Sequence, residues 1–166
     1  MKRPLVKICG LTRPSDAKEA VLAGADLIGL NFYPESPRAV SFGLARKLAD
    51  VARGTRRPGR PARPVRIVAV FVDPDEDLVQ GVLDTVGPDV LQFHGDEPSA
   101  FCRHFKTPFM KAFRLRTVHD TEGIDAFLGG HAVAYLIDAF SDAGFGGTGK
   151  RLSIDLAQAA LSRREV

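Results

Sequence analysis

The chain has 166 residues, of which 45% are hydrophobic and 26% charged, a composition typical of one globular domain with a sizeable core. No apolar run approaches the roughly 20 residues of a membrane span, and the first residues lead into a strand rather than into a signal peptide. Cys9 and Cys102 lie far apart, match no metal-ligand spacing and are too few for a disulfide framework. We therefore expect a cytoplasmic protein with no membrane partner.

The formal charge of +3 is concentrated in one segment. Residues 53–66 contain six arginines and no acid, so the rest of the chain is net acidic. This Arg/Pro-rich segment is predicted to be a surface connector, because its prolines and glycines are incompatible with a helix or a central strand. A nucleic-acid-binding arm would need neighbouring aromatic residues or a known motif, and neither is present. We expect no nucleic-acid partner.

Strands and helices are predicted to alternate along the whole chain. Apolar runs predict strands at residues 5–8, 26–30, 66–71, 90–93, 110–113 and 133–137. Helical periodicity and end signals predict helices at about 14–24, 44–52, 73–86, 98–104, 118–128 and 154–161. Such alternation indicates a parallel sheet with helices outside it, either an open doubly wound sheet or a (β/α) barrel.

Polar residues at the carboxyl ends of the strands favour the barrel. In a doubly wound sheet, ligand groups collect at one switch point, whereas in a barrel nearly every strand contributes one. We therefore predict an α/β fold of the TIM-barrel type, as a single domain over residues 1–166 with six β/α units. The polar strand ends are Cys9, Asn31, Gln92 with His94, Lys111 and Asp138.

The first strand places a thiol beside a lysine. Lys7 and Cys9 are two residues apart and therefore point to the same face of a strand. The lysine cation would favour the thiolate and make Cys9 a better base or nucleophile. The alternative is that Cys9 is a small hydrophobic residue in the core.

The glycine-rich segment 144–150 matches two phosphate-binding patterns incompletely. Arg151 replaces the Ser or Thr of a P-loop, and a G-x-G-x-x-G reading lacks the acidic residue about 20 positions later. Two interpretations remain: glycines that let a long loop turn, or an active-site loop whose N–H groups and Lys150 face an anionic substrate.

Six motifs follow one another along nearly the whole chain. They are Lys7-Ile-Cys-Gly-Leu-Thr12, Gly29-Leu-Asn-Phe-Tyr-Pro34 with Ser36-x-Arg38, Val70-Phe-Val72, Leu91-Gln-Phe-His-Gly-Asp-Glu97, Leu136-Ile-Asp-Ala139 and Gly146-Gly-Thr-Gly-Lys150. Together they resemble the phosphoribosylanthranilate isomerase family of tryptophan biosynthesis. The resemblance implies an eight-unit (β/α) barrel, of which this chain would contain the first six units and lack the seventh and eighth.

The resemblance also implies a reaction and a set of site residues. The family converts N-(5-phosphoribosyl)anthranilate to 1-(2-carboxyphenylamino)-1-deoxyribulose 5-phosphate by an Amadori rearrangement. By similarity Asp138 is the general acid and Cys9 the general base. The chemistry requires no metal or organic cofactor, and the expected partner is a small phosphorylated substrate. The implied substrate-binding residues are Lys7, Arg38 for the anthranilate carboxylate, Gln92, His94, Gly146, Gly147 and Thr148.

Two alternatives accompany this interpretation. The chain could be a partial barrel that needs a partner or its missing units for catalysis, because incomplete closure leaves open strand edges. It could also be another phosphate-binding barrel enzyme, in which case a carboxylate or lysine, rather than Cys9, would be the essential base.

Overall fold

The computed structural model describes residues 3–56, 64–129, 131–139 and 152–163. Its strands are β1 (Lys7–Cys9), β2 (Leu27–Asn31), β3 (Arg66–Phe71), β4 (Val90–Phe93), β5 (Phe109–Leu115) and β6 (Ala132–Ala139). Its α-helices are α1 (Pro14–Ala23), α2 (Phe42–Gly54), α3 (Glu76–Val86), α4 (Ser99–His104) and α5 (Ile154–Ser162), and a 3₁₀-helix spans Val118–Phe127.

The strand order distinguishes between the two predicted architectures. Within the described ranges the strands form one sheet in the order β1-β2-β3-β4-β5-β6. A doubly wound sheet reverses direction at its switch point, whereas a (β/α) barrel keeps its strands in chain order. The observed topology is therefore that of the barrel, with six β/α units.

The chain divides into two compact units, residues 1–91 and residues 92–166. In the first unit β1 pairs in parallel with β2, and β2 pairs in parallel with β3. Residues 27–30 and 67–71 are buried on both faces of their strands. Burial on both faces explains why these segments are continuously apolar rather than alternating.

Local signals set the helix ends in the first unit. Pro14 occupies the first turn of α1, and Gly24 ends that helix with a φ of 110°. The Ser41 side chain caps α2 by accepting a hydrogen bond from the Leu44 N–H. The start of α3 differs from the prediction: Asp75 is its N-cap, accepting from Leu78 N–H, so the helix begins two residues after Pro74.

The predicted Arg/Pro-rich connector, residues 53–66, overlaps a helix at its start and a strand at its end. Arg53 and Gly54 belong to the last turn of α2, and Arg66 begins β3. The Arg53 guanidinium donates to the carbonyls of Val86 and Gly87 at the end of α3, which satisfies carbonyls left free by that helix end. Residues 57–63 of the predicted connector lie outside the described residues.

In the second unit β5 and β6 pair in parallel with a register shift between Phe109 and Met110. The predicted helix at 118–128 is a 3₁₀-helix. Its buried residues Thr121, Ile124 and Phe127 recur every three residues, which is the period of a 3₁₀-helix rather than the 3.6 of an α-helix. Residues at this spacing share one face of a 3₁₀-helix, whereas on an α-helix they would drift away from a single face.

Candidate active site

Cys9 and Lys7 face the same glycine of the neighbouring strand. A Cβ built on Gly29 would lie 2.6 Å from Cys9 Sγ and 3.0 Å from Lys7 Nζ. The two side chains therefore lie on one face of β1, as their spacing predicts. The Cys9 side chain is exposed in this structure, so the alternative that it is a buried hydrophobic residue is wrong.

The loop after β2 places Arg38 beside this pair. The side-chain amide of Asn31 makes two hydrogen bonds within this loop. Its Oδ1 accepts from the Tyr33 N–H at 2.9 Å, and its Nδ2 donates to Ser36 Oγ at 3.0 Å. Ser36 Oγ in turn accepts from the Arg38 N–H at 3.2 Å. Arg38 lies against Gly10, since a Cβ on that glycine would come within 2.8 Å of Arg38 Cδ.

The second unit brings Gln92, His94 and Asp138 together. Gln92 Nε2 lies 3.2 Å from His94 Nδ1, and His94 Nε2 lies 3.6 Å from Asp138 Oδ2. The imidazole of His94 thus lies between the Gln92 amide and the Asp138 carboxyl group. Gln92 is 2% exposed, and its Oε1 accepts no hydrogen bond from the described residues.

A buried ion pair adjoins this cluster. Lys111 Nζ lies 3.1 Å from Glu97 Oε2, with side chains only 5% and 2% exposed. The other carboxylate oxygen of Glu97, Oε1, accepts the Gly95 N–H at 3.0 Å. The signal available in the sequence was Lys111 within the predicted strand 110–113, whose other residues are apolar, since a buried charge must find a partner.

A cavity of about 580 Å³ opens beside this ion pair in the second unit. Its charged lining is balanced: Arg114 pairs with Asp96 at 3.3 Å, and Asp120 accepts from the Arg116 N–H at 2.7 Å. The short distances to backbone N–H groups lower the pKa of Asp120. The cavity wall therefore contains acids as well as bases.

The predicted site residues thus fall into two clusters, one in each unit. Lys7, Cys9 and Arg38 lie together in the first unit, and Gln92, His94 and Asp138 lie together in the second. Gly146, Gly147 and Thr148 lie outside the described residues. In the described ranges no helix has the length and hydropathy to cross a membrane, and no three His, Cys, Asp or Glu residues could hold a metal ion.

Parallel strands in chain order, with reactive polar side chains at their carboxyl ends, define a (β/α)-barrel enzyme. The family model described as N-(5'-phosphoribosyl)anthranilate (PRA) isomerase matches residues 6–165. The chain belongs to this family. The predicted fold class, and an isomerase function in tryptophan biosynthesis, are confirmed at this level.

Individual relatives agree with the family model. The N-(5'-phosphoribosyl)anthranilate isomerase of Neisseria gonorrhoeae is 41% identical over 151 residues, covering 91% of this chain and 68% of that protein. The Bordetella petrii enzyme is 47% identical over 157 residues, covering 89% of this chain and 64% of the relative. The chain thus spans about two thirds of the length of these relatives.

Solved structures agree as well. The crystal structure of phosphoribosyl anthranilate isomerase from Thermotoga maritima has a TM-score of 0.80 and 29% identity, covering 97% of this chain and 73% of that one. A second structure, in complex with reduced 1-(o-carboxyphenylamino)-1-deoxyribulose 5-phosphate, has a TM-score of 0.70 and 31% identity, covering 83% and 66%.

Proposed function

We propose that this chain isomerises N-(5-phosphoribosyl)anthranilate with Asp138 as the general acid and Cys9 as the general base. The observation that carries the proposal is the exposed Cys9 thiol beside Lys7 at the carboxyl end of β1, in a chain of this family. The reaction is an internal redox exchange between C1′ and C2′ of the sugar. It therefore requires proton transfers and no external oxidant.

Ring opening is the first step. Asp138 gives its proton to the furanose oxygen as the C1′–O bond breaks, and the nitrogen lone pair forms the C1′=N bond of a Schiff base. His94 Nε2, 3.6 Å from Asp138 Oδ2, is beyond direct hydrogen-bond distance and acts electrostatically on the carboxylate that remains. Gln92 orients the imidazole through the contact of its Nε2 with His94 Nδ1 at 3.2 Å.

Proton removal from C2′ is the second step. The Cys9 thiolate takes this proton, and the C2′–H electron pair forms a C2′=C1′ double bond while the C1′=N electrons return to nitrogen. Lys7 Nζ faces the same glycine as Cys9 Sγ, so the lysine cation lies on the same face of β1 as the sulfur. The enolamine then takes a proton at C1′ and loses one from the C2′ hydroxyl, giving the ketone. Exchange with solvent then returns a proton to Asp138 and removes the proton from Cys9.

The remaining residues bind the two ends of the substrate. Arg38 lies against the residue after Cys9, and its guanidinium suits a bidentate pair with the anthranilate carboxylate. Gly146, Gly147 and Thr148 are proposed as substrate-binding residues by their match to the family motif. A related structure holds a carboxyphenylamino-deoxyribulose phosphate, which supports a small phosphorylated substrate. A cytoplasmic location is part of this proposal.

Substitution of the acid and the base tests the proposal in the full-length protein. Cys9→Ala and Asp138→Asn should each lower kcat with phosphoribosylanthranilate by about 10²- to 10⁴-fold, with an unchanged circular dichroism spectrum. Cys102→Ala is the matched control for the thiol, and Asp50→Asn, at an exposed helix position, is the control for the carboxylate. Full activity in either Cys9→Ala or Asp138→Asn would overturn the assignment of that residue.

A further inference from the structure

The buried ion pair Lys111–Glu97 converges on a single backbone residue. Glu97 Oε1 accepts the Gly95 N–H at 3.0 Å, and Lys111 Nζ donates to the Gly95 carbonyl at 2.6 Å. Lys111 also donates to the Ala112 carbonyl at 3.1 Å. The pair therefore holds both backbone polar groups of the residue that immediately follows His94.

Stability alone is a poor explanation for such a pair. Removing two charges from water costs several kcal/mol each, and apolar replacements of a buried pair are often as stable or more stable. The surroundings are otherwise suited to apolar side chains, since Lys111 Nζ lies 5.6 Å and 5.8 Å from the ring centroids of Phe113 and Phe127. A fixed backbone at Gly95 is what the charges provide and a hydrophobic pair would not.

Gly95 is next in the chain to His94, which lies in the cluster with Gln92 and Asp138. His94 is covalently joined to Gly95, its Nδ1 lies 3.2 Å from Gln92 Nε2, and its Nε2 lies 3.6 Å from Asp138 Oδ2. A rotation of the Gly95 peptide would move the His94 backbone and change the distance from its ring to Asp138. Displacement of a catalytic group by about 1 Å lowers rates on the order of 10²-fold.

We propose that Lys111 and Glu97 are positioning residues, which act through Gly95 to fix His94 against the general acid. This inference rests on the proposed function for its effect on rate, but not for its effect on the His94 ring. Both side chains are almost completely buried, and their polar atoms bind the backbone of Gly95. Their removal should therefore lower kcat and leave KM nearly unchanged.

The test compares Lys111→Met, Glu97→Gln and the double variant in the full-length protein. Each single variant leaves one charge buried and should be less stable, whereas the double variant should recover part of the lost stability. All three should lose kcat on the order of 10- to 100-fold. Asp50→Asn, which removes an exposed ion pair, is the control and should keep wild-type kcat.

The double variant separates positioning from stability. If the pair only stabilises the fold, kcat in the double variant recovers together with stability, and that result overturns the proposal. If the pair positions His94, kcat stays low in a restored fold. Lys111→Arg, which keeps the charge and donors, should retain more kcat than Lys111→Met if it folds.

An activity-free measurement keeps this inference distinct from the proposed reaction. The ¹⁵N resonances of the His94 ring should shift in all three pair variants and stay unchanged in Asp50→Asn. Unchanged resonances in the pair variants would overturn the positioning role. If wild-type protein turns over no phosphoribosylanthranilate, the proposed function fails while the ring resonances still decide the inference.

Discussion

Replacing Gly29 by alanine should disable the thiol without unfolding the protein. The new Cβ would stand 2.6 Å from Cys9 Sγ, 3.0 Å from Lys7 Nζ and 3.1 Å from Cys9 Cβ. Ordinary contact begins near 3.4 Å, so Sγ must move by about 0.8 Å or adopt another rotamer. Two of the three crowded atoms are side-chain ends that can move.

Gly29→Ala should lower stability only slightly and activity strongly. An off-rotamer side chain costs about 0.5–1.5 kcal/mol, so the free energy of unfolding should fall by roughly that amount. A displacement of nearly 1 Å at the base should lower kcat on the order of 10²-fold. The loss of activity would therefore far exceed what the small loss of stability explains.

Urea unfolding and steady-state kinetics on the same preparation check both values. Gly43→Ala is the matched control, because a Cβ at that helical glycine meets no atom within 4 Å and should leave kcat unchanged while stabilising α2 by up to about 1 kcal/mol. A Gly29→Ala protein with kcat within twofold of wild type would refute the reasoning that Cys9 geometry controls the reaction.

Three further predictions concern thiol reactivity, ligand binding and pH. Iodoacetamide should label Cys9 in the native protein and Cys102 only after unfolding, because burial raises the pKa of Cys102 to about 12. Peptide mass spectrometry identifies the labelled sites, and labelling of both cysteines in the native protein would contradict this prediction. Arg38→Lys should raise KM by about 10- to 100-fold with a smaller change in kcat, since a bidentate carboxylate pair is lost; an unchanged KM in steady-state kinetics would exclude that contact. Asp120→Ala should destabilise the protein at pH 7 by less than about 1 kcal/mol. Its carboxylate has a lowered pKa, so this difference in urea stability should disappear as pH falls through that pKa, and a difference that persists in acid would contradict the assignment.

The features that the sequence predicts correctly are those with local or strictly periodic causes. The apolar run 66–71 predicts β3 to the residue, since a strand covered on both faces needs no polar alternation. The shared face of Lys7 and Cys9 follows from the two-residue repeat of a strand, which no tertiary contact can change.

Features that depend on partners distant in sequence were not predicted. Glu97 precedes a helix and looks like a helix-start acid, but Lys111, fourteen residues later, draws it into a buried pair. Asn31 is visible in the sequence as a polar strand end, but the hydrogen bonds to Tyr33 and Ser36 by which it holds the Arg38 loop are seen only in the structure. Asp73 and Asp75 are equally good helix caps by composition, and the backbone favours the second, with Asp73 at a φ of 44°.

The most direct test of the account measures the fate of the C2′ hydrogen. Full-length wild-type protein and its Cys9→Ala variant would be assayed with phosphoribosylanthranilate carrying deuterium at C2′, with the product followed by NMR. The account predicts a primary isotope effect in the wild type and at least about a 10²-fold loss of turnover in the variant. Turnover by Cys9→Ala at the wild-type rate, with the same isotope effect, would contradict Cys9 as the base.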